Sequence, residues 1–190
     1  MTVSGFDRLH SQLSKLEDMF PGCLTEIVEG SIVTNPVRPF HGKTILRVAT
    51  NLEGQLAPEW ALVSDVAFPF DEAHEFCPDI AVIPAEAEAE NLSSYPADLL
   101  EFVAEVVSPE SIRRDYEIKP RFYASRGIAN YLVLDPLKGH CVTMWNPGPD
   151  GYRGRDTIPY GSDLTVDSPL GKLTIPTAHL PVDPKVGRPS

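Results

Sequence analysis

Two apolar segments in the middle of the chain each carry one carboxylate where a buried strand is expected. The segments are Pro78–Ile83, which contains Asp79, and Leu99–Val107, which contains Glu105. Both segments are rich in the branched and aromatic residues that favour strands. Removing a carboxylate from water costs on the order of several kcal/mol unless a partner compensates for it. The fold must therefore bring a positive charge to both side chains.

A lysine and a metal ion are the two available partners. Lys119 follows on a segment with a helical pattern. A divalent cation is the second partner, because hard cations prefer oxygen ligands and Mg²⁺ needs only one or two carboxylates. A bound metal lowers the pKa of water and polarises a phosphoryl oxygen, as phosphodiester hydrolysis requires. Asp79 and Glu105 can lie side by side across a sheet, and the ammonium of Lys119 would stabilise the transition state.

Each of these side chains also has a purely structural explanation. Asp79 after a proline would simply open a strand. Glu105 would pair with Arg113 or Arg121, and Lys119 would lie in solvent, as most lysines do. A shared metal site explains the three residues together, and we therefore prefer it.

Other polar residues are weaker candidates for the site. Asp115 is expected to start a helix, and His41 to be a cap or a core histidine. His74 and Cys77 are three positions apart, but two residues do not make a zinc site. Glu101 shares a strand face with Glu105 and is expected in water near the edge.

The composition indicates one acidic domain. The chain has 190 residues, of which 42% are hydrophobic and 23% charged, as in ordinary globular domains.

Its net charge of -11 opposes a general attraction to nucleic acid, which depends on Lys and Arg at phosphates. Contact with DNA would need a local basic patch, and residues 112–126 offer one. Alternatively, the basic residues of this segment form a solvated helix face with salt bridges. The charged residues of this segment are Arg113, Arg114, Lys119, Arg121 and Arg126, against Asp115 and Glu117.

The chain carries none of the sequence signals of a secreted or membrane protein. It has no apolar run long enough to span a bilayer, and its first residues lack the pattern of a secretory signal. The three cysteines, Cys23, Cys77 and Cys141, form no CxxC pair. Such isolated cysteines favour a reducing compartment, and we expect a cytoplasmic protein without a membrane partner.

The apolar periodicity predicts alternating helices and strands. Together they indicate an α/β fold with a mixed sheet flanked by helices. We expect one domain over residues 1–175 and a loose proline-rich tail over 176–190. The predicted helices cover 6–20, 41–56 and 114–126; the predicted strands cover 24–28, 31–34, 60–68, 79–83, 99–107, 131–134 and 141–145; short strands fill 152–174, and 85–96 is a surface loop or loose helix.

Seven short motifs follow one another between residues 22 and 146. They are Glu26–Gly30, His41, Pro78 with Asp79, Glu105–Pro109, Asp115 with Lys119, Tyr123 with Gly127, and Tyr131–Pro136. Their order and spacing resemble the PD-(D/E)XK nuclease superfamily. Within it, they resemble the branch of putative restriction endonucleases known as the Uma-two family.

The resemblance implies a fold, an activity and a set of site residues. The implied fold is restriction-endonuclease-like, with a central mixed sheet flanked by helices. The implied activity is metal-dependent endonuclease cleavage of DNA phosphodiester bonds with Mg²⁺ or Mn²⁺. Asp79, Glu105 and Glu26 would hold the metal, and Lys119 would be the catalytic base or an electrostatic stabiliser. Val107 stands where the superfamily usually has its lysine, so the lysine would have moved to the following helix. A homodimer would fit, since cutting two strands needs two sites.

One departure from the family pattern concerns Lys119. Pro120 follows it directly, and proline lacks an N–H and disfavours helical geometry in the preceding residue. The helix can accommodate Pro120 in its first turn if it starts near Tyr116 or Glu117; otherwise it kinks at the lysine. Two alternative functions also stay open: a catalytically inactive binding or scaffold module on the same fold, and a hydrolase of small phosphate esters.

Overall fold

The computed structural model describes residues 9, 11–13, 15, 24–35 and 38–184 of the chain. Most of the predicted N-terminal helix lies outside these residues, and its five described positions are helical. None of the described helices is long and apolar enough to cross a membrane.

From residue 24 onward, the described residues form twelve strands and three α-helices. The strands are β1 (Leu24–Val28), β2 (Ser31–Asn35), β3 (Trp60–Val63), β4 (Phe68–Asp71), β5 (His74–Phe76), β6 (Ile80–Pro84), β7 (Phe102–Val106), β8 (Asn130–Asp135), β9 (His140–Gly148), β10 (Gly151–Pro159), β11 (Asp163–Ser168) and β12 (Gly171–Pro176). The α-helices are α1 (Pro39–Glu53), α2 (Ala85–Glu88) and α3 (Lys119–Ser125). A 3₁₀ turn covers Ala97–Leu99, and a π-helical turn covers Arg114–Ile118.

A six-stranded sheet forms the centre of the molecule. Its strand order is β10-β9-β8-β7-β6-β3, and β7 and β8 form a parallel pair within otherwise antiparallel neighbours. Every residue of β7 and β8 is buried, because elements cover both faces of the sheet. Parallel strands need a crossover connection, and the π-helical turn followed by α3 provides it. The predicted α/β class with a central mixed sheet flanked by helices is confirmed.

Two apolar layers pack against the two faces of this sheet. On one face, Val103 and Val133 contact α3 and a second, four-stranded sheet with the order β2-β1-β5-β4. On the other face, Phe102 and Leu132 contact α1 and the β11–β12 hairpin. Helix α1 fits this position because its buried residues, Thr44, Val48 and Leu52, recur every four positions and form one stripe.

The prediction of one strand over residues 60–68 is wrong. β3 ends at Val63 and belongs to the six-stranded sheet, whereas β4 begins at Phe68 and belongs to the four-stranded sheet. Asp65 lies between them with a φ of 58°, a left-handed conformation that ends an extended strand. The chain therefore changes sheets at this residue.

The described part of the proline-rich C-terminal segment packs onto the domain. Leu180 is buried in the layer that contains α1 and the β11–β12 hairpin. The backbone N–H of Asp183 donates to the carbonyl of Pro136 at 2.8 Å. The boundary between domain and tail at residues 175 and 176 stays a prediction.

Candidate active site

Asp79 and Glu105 lie on the same face of the six-stranded sheet. Ala81 pairs with Val103 in the register of β6 and β7. Because side chains alternate along a strand, stepping two residues outward on each strand brings Asp79 and Glu105 together on that face. The backbone N–H of Asp79 lies 3.4 Å from Glu105 Oε2. Both carboxylates are buried, with exposed fractions of 5% and 2%.

Lys119 brings its ammonium into this acidic cluster. Its Nζ lies 2.8 Å from Glu105 Oε1 and 2.8 Å from Glu26 Oε1. Glu26 comes from β1 in the four-stranded sheet, where Cys77 donates its backbone N–H to the same oxygen at 3.1 Å. The structure thus brings together all four residues that the sequence predicted for the site, while their roles stay predictions.

The π-helical turn solves the conflict between Lys119 and Pro120. The backbone N–H of Lys119 donates to the carbonyl of Arg114, five residues earlier. The chain is helical from residue 112 to residue 125, so the helical run starts earlier than Tyr116 or Glu117, the starts that we considered from the sequence. Pro120 is near the start of α3, directly after the π-helical turn, where the regular pattern of i to i−4 hydrogen bonds is already interrupted. π-helical turns occur frequently at functional sites.

Four further residues contact the cluster; from the sequence, Asp115 and His41 were weaker candidates and Arg114 and Tyr123 were assigned no role in the site. Asp115, which was expected only to start a helix, is 2% exposed and lies 3.8 Å from the ammonium of Lys119. His41 Nε2 lies 3.2 Å from Asp79 Oδ2. Asp115 and His41 both belong to the motifs that suggested the family, and this was a signal for their involvement.

Arg114 and Tyr123 complete the contacts of the glutamates. Arg114 Nε lies 3.6 Å from Glu26 Oε2, and the Tyr123 hydroxyl donates to Glu105 Oε1 at 2.8 Å. Tyr123 belongs to one of the seven motifs. Arg114 had no signal beyond its place in the basic segment.

Pairing of Glu105 with Arg113 or Arg121 does not occur. Arg113 instead donates two hydrogen bonds to Glu29, at 2.9 Å and 3.0 Å. Glu105 instead contacts Lys119, Tyr123 and the backbone N–H of Asp79.

The basic segment is largely neutralised by acidic residues. Lys119 and Arg114 are buried in the cluster. Arg113 is paired with Glu29, and Arg126 with Asp98 at 2.8 Å. Of the five cationic side chains, only Arg121 forms no ion pair among the described residues. The segment therefore offers little free positive surface.

Burial and mutual repulsion shift the pKa values within the cluster. Burial raises the pKa of Glu105 well above its usual range, although Lys119 opposes the shift. Burial likewise raises the pKa of Asp115 to about 7. For Lys119, burial lowers the pKa, but Glu105, Glu26 and Asp115 raise it by more, so the ammonium keeps its proton. The pKa of His41 is also raised, because its contact with Asp79 outweighs the effect of burial.

The donor set fits a hydrated Mg²⁺ or Mn²⁺ ion. Among the described residues, no group of three or more His, Cys, Asp or Glu side chains is arranged as a ready-made metal cage. Mg²⁺ does not need one, since it keeps several waters and binds through one or two carboxylates. Glu105 Oε2 accepts a single long hydrogen bond, and no described residue donates to Asp79 Oδ1. These two oxygens therefore have lone pairs available.

The charge balance of the cluster also favours a cation. Four carboxylates, from Glu26, Asp79, Glu105 and Asp115, surround Lys119 and Arg114. Two positive charges cannot neutralise four buried carboxylates, and repulsion between the carboxylates adds to the effect of burial in raising the pKa values of Glu105 and Asp115.

Comparison with known proteins agrees with this geometry. The Uma2 family, described as putative restriction endonuclease, matches residues 11–178. The chain belongs to this family. A crystal structure of a putative nuclease of family DUF820 from Anabaena variabilis is similar to it, with a TM-score of 0.60 and 17% identity over 76% of this chain and 81% of that chain. At this identity the likeness shows the nuclease-like fold alone, and it confirms the predicted fold class. No protein with curated annotation is significantly similar to the chain.

Proposed function

We propose that this Uma2 family member is a metal-dependent endonuclease that hydrolyses DNA phosphodiester bonds. The observation that carries the proposal is the buried ammonium of Lys119, 2.8 Å from both Glu26 and Glu105, beside a second strand carboxylate, Asp79. An inert core would rarely collect four carboxylates, because each one is costly to bury. A hydrolytic site needs such groups, and the family description names this kind of enzyme.

Asp79 and Glu105 are the ligands that we propose for the metal. When bound, Mg²⁺ or Mn²⁺ would supply an activated water and neutralise charge on the phosphate. His41 and the backbone N–H of Val106 both hold Asp79 Oδ2, at 3.2 Å and 2.7 Å, so this carboxylate has one orientation. The hydroxyl of Tyr123 likewise fixes the orientation of the Glu105 carboxylate through its hydrogen bond to Oε1.

Lys119 and Glu26 have different roles in this proposal. Lys119 keeps its proton in the metal-free cluster, and we therefore assign it to electrostatic stabilisation of the phosphate rather than to proton abstraction. Glu26 is the weakest of the three predicted metal ligands. Its Oε1 already accepts from Lys119 and Cys77, and its Oε2 faces Arg114. We propose that it mainly fixes the position of Lys119.

Calorimetric titration with Ca²⁺ or Mn²⁺, combined with plasmid nicking, tests the proposal. Asp79→Asn keeps an acceptor for Val106 but loses the charge, and it should lose both metal binding and nicking. Lys119→Met should still bind metal and should not nick. Asp163→Asn, at an exposed site on β11, is the matched control and should behave as wild type. Metal binding unchanged in Asp79→Asn would exclude this residue from the site.

A small phosphate ester is the second candidate substrate. The observation that favours it is the neutralised basic segment of an acidic chain, since a small substrate needs no broad positive surface. Hydrolysis of a mononucleotide or an aryl phosphate ester without plasmid nicking would support this alternative. Absence of metal binding in the wild type would instead support a scaffold protein without catalytic activity.

A further inference from the structure

A small apolar cavity opens beside the carboxylate cluster, on the side of His41. Its volume is about 220 Å³, and His41 belongs both to its wall and to the cluster, where His41 Nε2 contacts Asp79. Most of its lining is apolar, and the residues that matter here are Pro39, Phe40, Val107, Ser108, Pro109 and Leu137. Val107, Ser108 and Pro109 follow directly after β7, which carries Glu105.

Two residues that line this cavity each carry a buried polar atom without a hydrogen-bond partner among the described residues. Ser108 is 6% exposed, and its Oγ is buried and makes no hydrogen bond with any described residue. His41 Nδ1 is likewise buried and without a hydrogen bond among the described residues. A buried polar atom without a partner is unfavourable, and it is rare enough in folded proteins to require an explanation. A ligand with hydrogen-bonding groups in the cavity would provide one.

We propose that this cavity binds one nucleobase of the substrate, unstacked from its neighbours, next to the phosphate at the carboxylates. A base has two apolar faces and a polar edge, and this combination matches apolar walls with two unpartnered polar atoms. Phe40 lines the cavity and is 40% exposed as a residue, and exposed aromatic side chains serve as stacking platforms for bases. The volume is below that of typical pockets for drug-sized ligands, so it suits a single ring system.

This inference rests on the proposed nuclease function and adds a site that selects the substrate. Enzymes that do chemistry on a base take that base out of the helical stack and read it by its edge and by stacking, and we propose the same means of recognition for a base beside the cleaved bond. Both atoms are buried behind the cavity surface, so a small movement of the two side chains on binding would bring Ser108 Oγ and His41 Nδ1 to the edge of the base, and Phe40 would contact one of its faces. The cavity would then determine which nucleotide lies beside the cleaved bond, although the surface around it carries little free positive charge.

Binding of a mononucleotide, compared with a sugar phosphate, tests this site without any need for catalysis. The probes are the deoxyribonucleoside 5′-monophosphate of 2-aminopurine, followed by its fluorescence, and 2-deoxyribose 5-phosphate as a competitor, both with Ca²⁺ present. The wild type should bind the nucleotide on the order of ten-fold more tightly than the sugar phosphate, as expected for one stacked base. Phe40→Ala and Ser108→Ala should lose most of this preference.

Two variants distinguish loss of the site from loss of the fold. Leu46→Ala, on the same helix as Phe40 and 68% exposed, should keep the preference. Ser108→Ala removes an atom that has no partner, so its midpoint of urea denaturation should equal or exceed that of the wild type.

Equal affinity of the wild type for the two probes, or a preference that survives in both Phe40→Ala and Ser108→Ala, would overturn the base site. Plasmid nicking by the same preparations separates this failure from that of the proposed function. A wild type that nicks but shows no preference disproves the base site alone. A wild type that neither nicks nor binds either probe disproves both.

Discussion

Lys119 is the side chain on which the acidic cluster depends. Its ammonium contacts Glu26 and Glu105 at 2.8 Å each, and Asp115 lies 3.8 Å away. Removing one partner of a buried ion pair typically costs about 3–5 kcal/mol. The cluster can reduce its remaining negative charge in two ways, by protonation of a carboxylate or by binding of a metal ion. Stability should therefore respond to pH and to metal together.

Asp115 should make the stability of the metal-free protein fall as the pH rises. Its pKa is raised to about 7 by burial, whereas an aspartate in an unfolded chain titrates near 3.9. Between these values the folded state binds the proton and the unfolded state does not, so the free energy of unfolding decreases with rising pH. The contribution of Asp115 is fully present below about pH 4 and is lost above about pH 7. The shift corresponds to at most about 4 kcal/mol.

Urea denaturation of wild type and Asp115→Asn across this pH range measures the effect. The difference in the free energy of unfolding between the two proteins should change in favour of the variant as the pH rises. Saturating Mg²⁺ should reduce this change, because a bound cation offsets the same negative charge. Asp163→Asn, at an exposed position, should follow the wild type at every pH. A pH-independent difference for Asp115→Asn would contradict the assignment.

The π-helical turn is the element that places Lys119, and the sequence did not predict it. The apolar runs of β1, β6, β7 and β8 were recognisable because burial leaves a regular pattern in the sequence. A π-helical turn adds one residue to a helical turn without leaving such a pattern, and here it accompanies the burial of Lys119 in contacts with Glu26 and Glu105 on distant strands. The β4–β5 hairpin was missed for a similar reason, since its register depends on pairing with β1.

Much of the candidate site could nevertheless be predicted from the sequence. A carboxylate within an apolar run is unusual, and this identified Asp79 and Glu105 without knowledge of the fold. The contacts of His41 and Arg114 could not be predicted in this way. They depend on how α1 and the π-helical turn approach the sheet, and no local pattern encodes that approach.

Proline at position 120 should be compatible with the site but not essential to it. Pro120→Ala keeps the π-helical turn and α3, because the regular hydrogen-bond pattern is already interrupted before this position, and it should cost at most about 1 kcal/mol through the unfolded state. Ala124→Pro places the ring one turn later, where it removes a helical hydrogen bond, and should cost about 3 kcal/mol or more. Nicking should persist in the first variant and fail in the second. Urea denaturation gives the stabilities, and loss of nicking in a stable Pro120→Ala would show that the proline itself positions Lys119.

At the scale of the whole molecule, the distribution of charge limits how the protein can approach DNA. The net charge is -11, and the basic segment next to the site is mostly paired with carboxylates. Attraction through many phosphate contacts is therefore excluded for this face of the molecule. Affinity would have to come from a few contacts and from the metal, and specificity from a pocket such as the one beside His41. The predicted homodimer and the cytoplasmic location stay predictions.

The salt dependence of DNA binding should therefore be shallow. The logarithm of the binding constant falls with the logarithm of salt concentration with a slope of about −0.9 per phosphate neutralised, and we expect a slope of about −1 to −3 in the presence of Ca²⁺. Arg121→Gln should reduce its magnitude by about one, because Arg121 has no ion pair among the described residues. Arg126→Gln is the matched control and should leave the slope unchanged, since Arg126 is already paired with Asp98. Fluorescence anisotropy of a labelled duplex over a range of salt concentrations measures the slope. A value near −10, as for proteins with many phosphate contacts, or equal changes in the two variants, would mean that a basic surface elsewhere on the chain carries DNA binding.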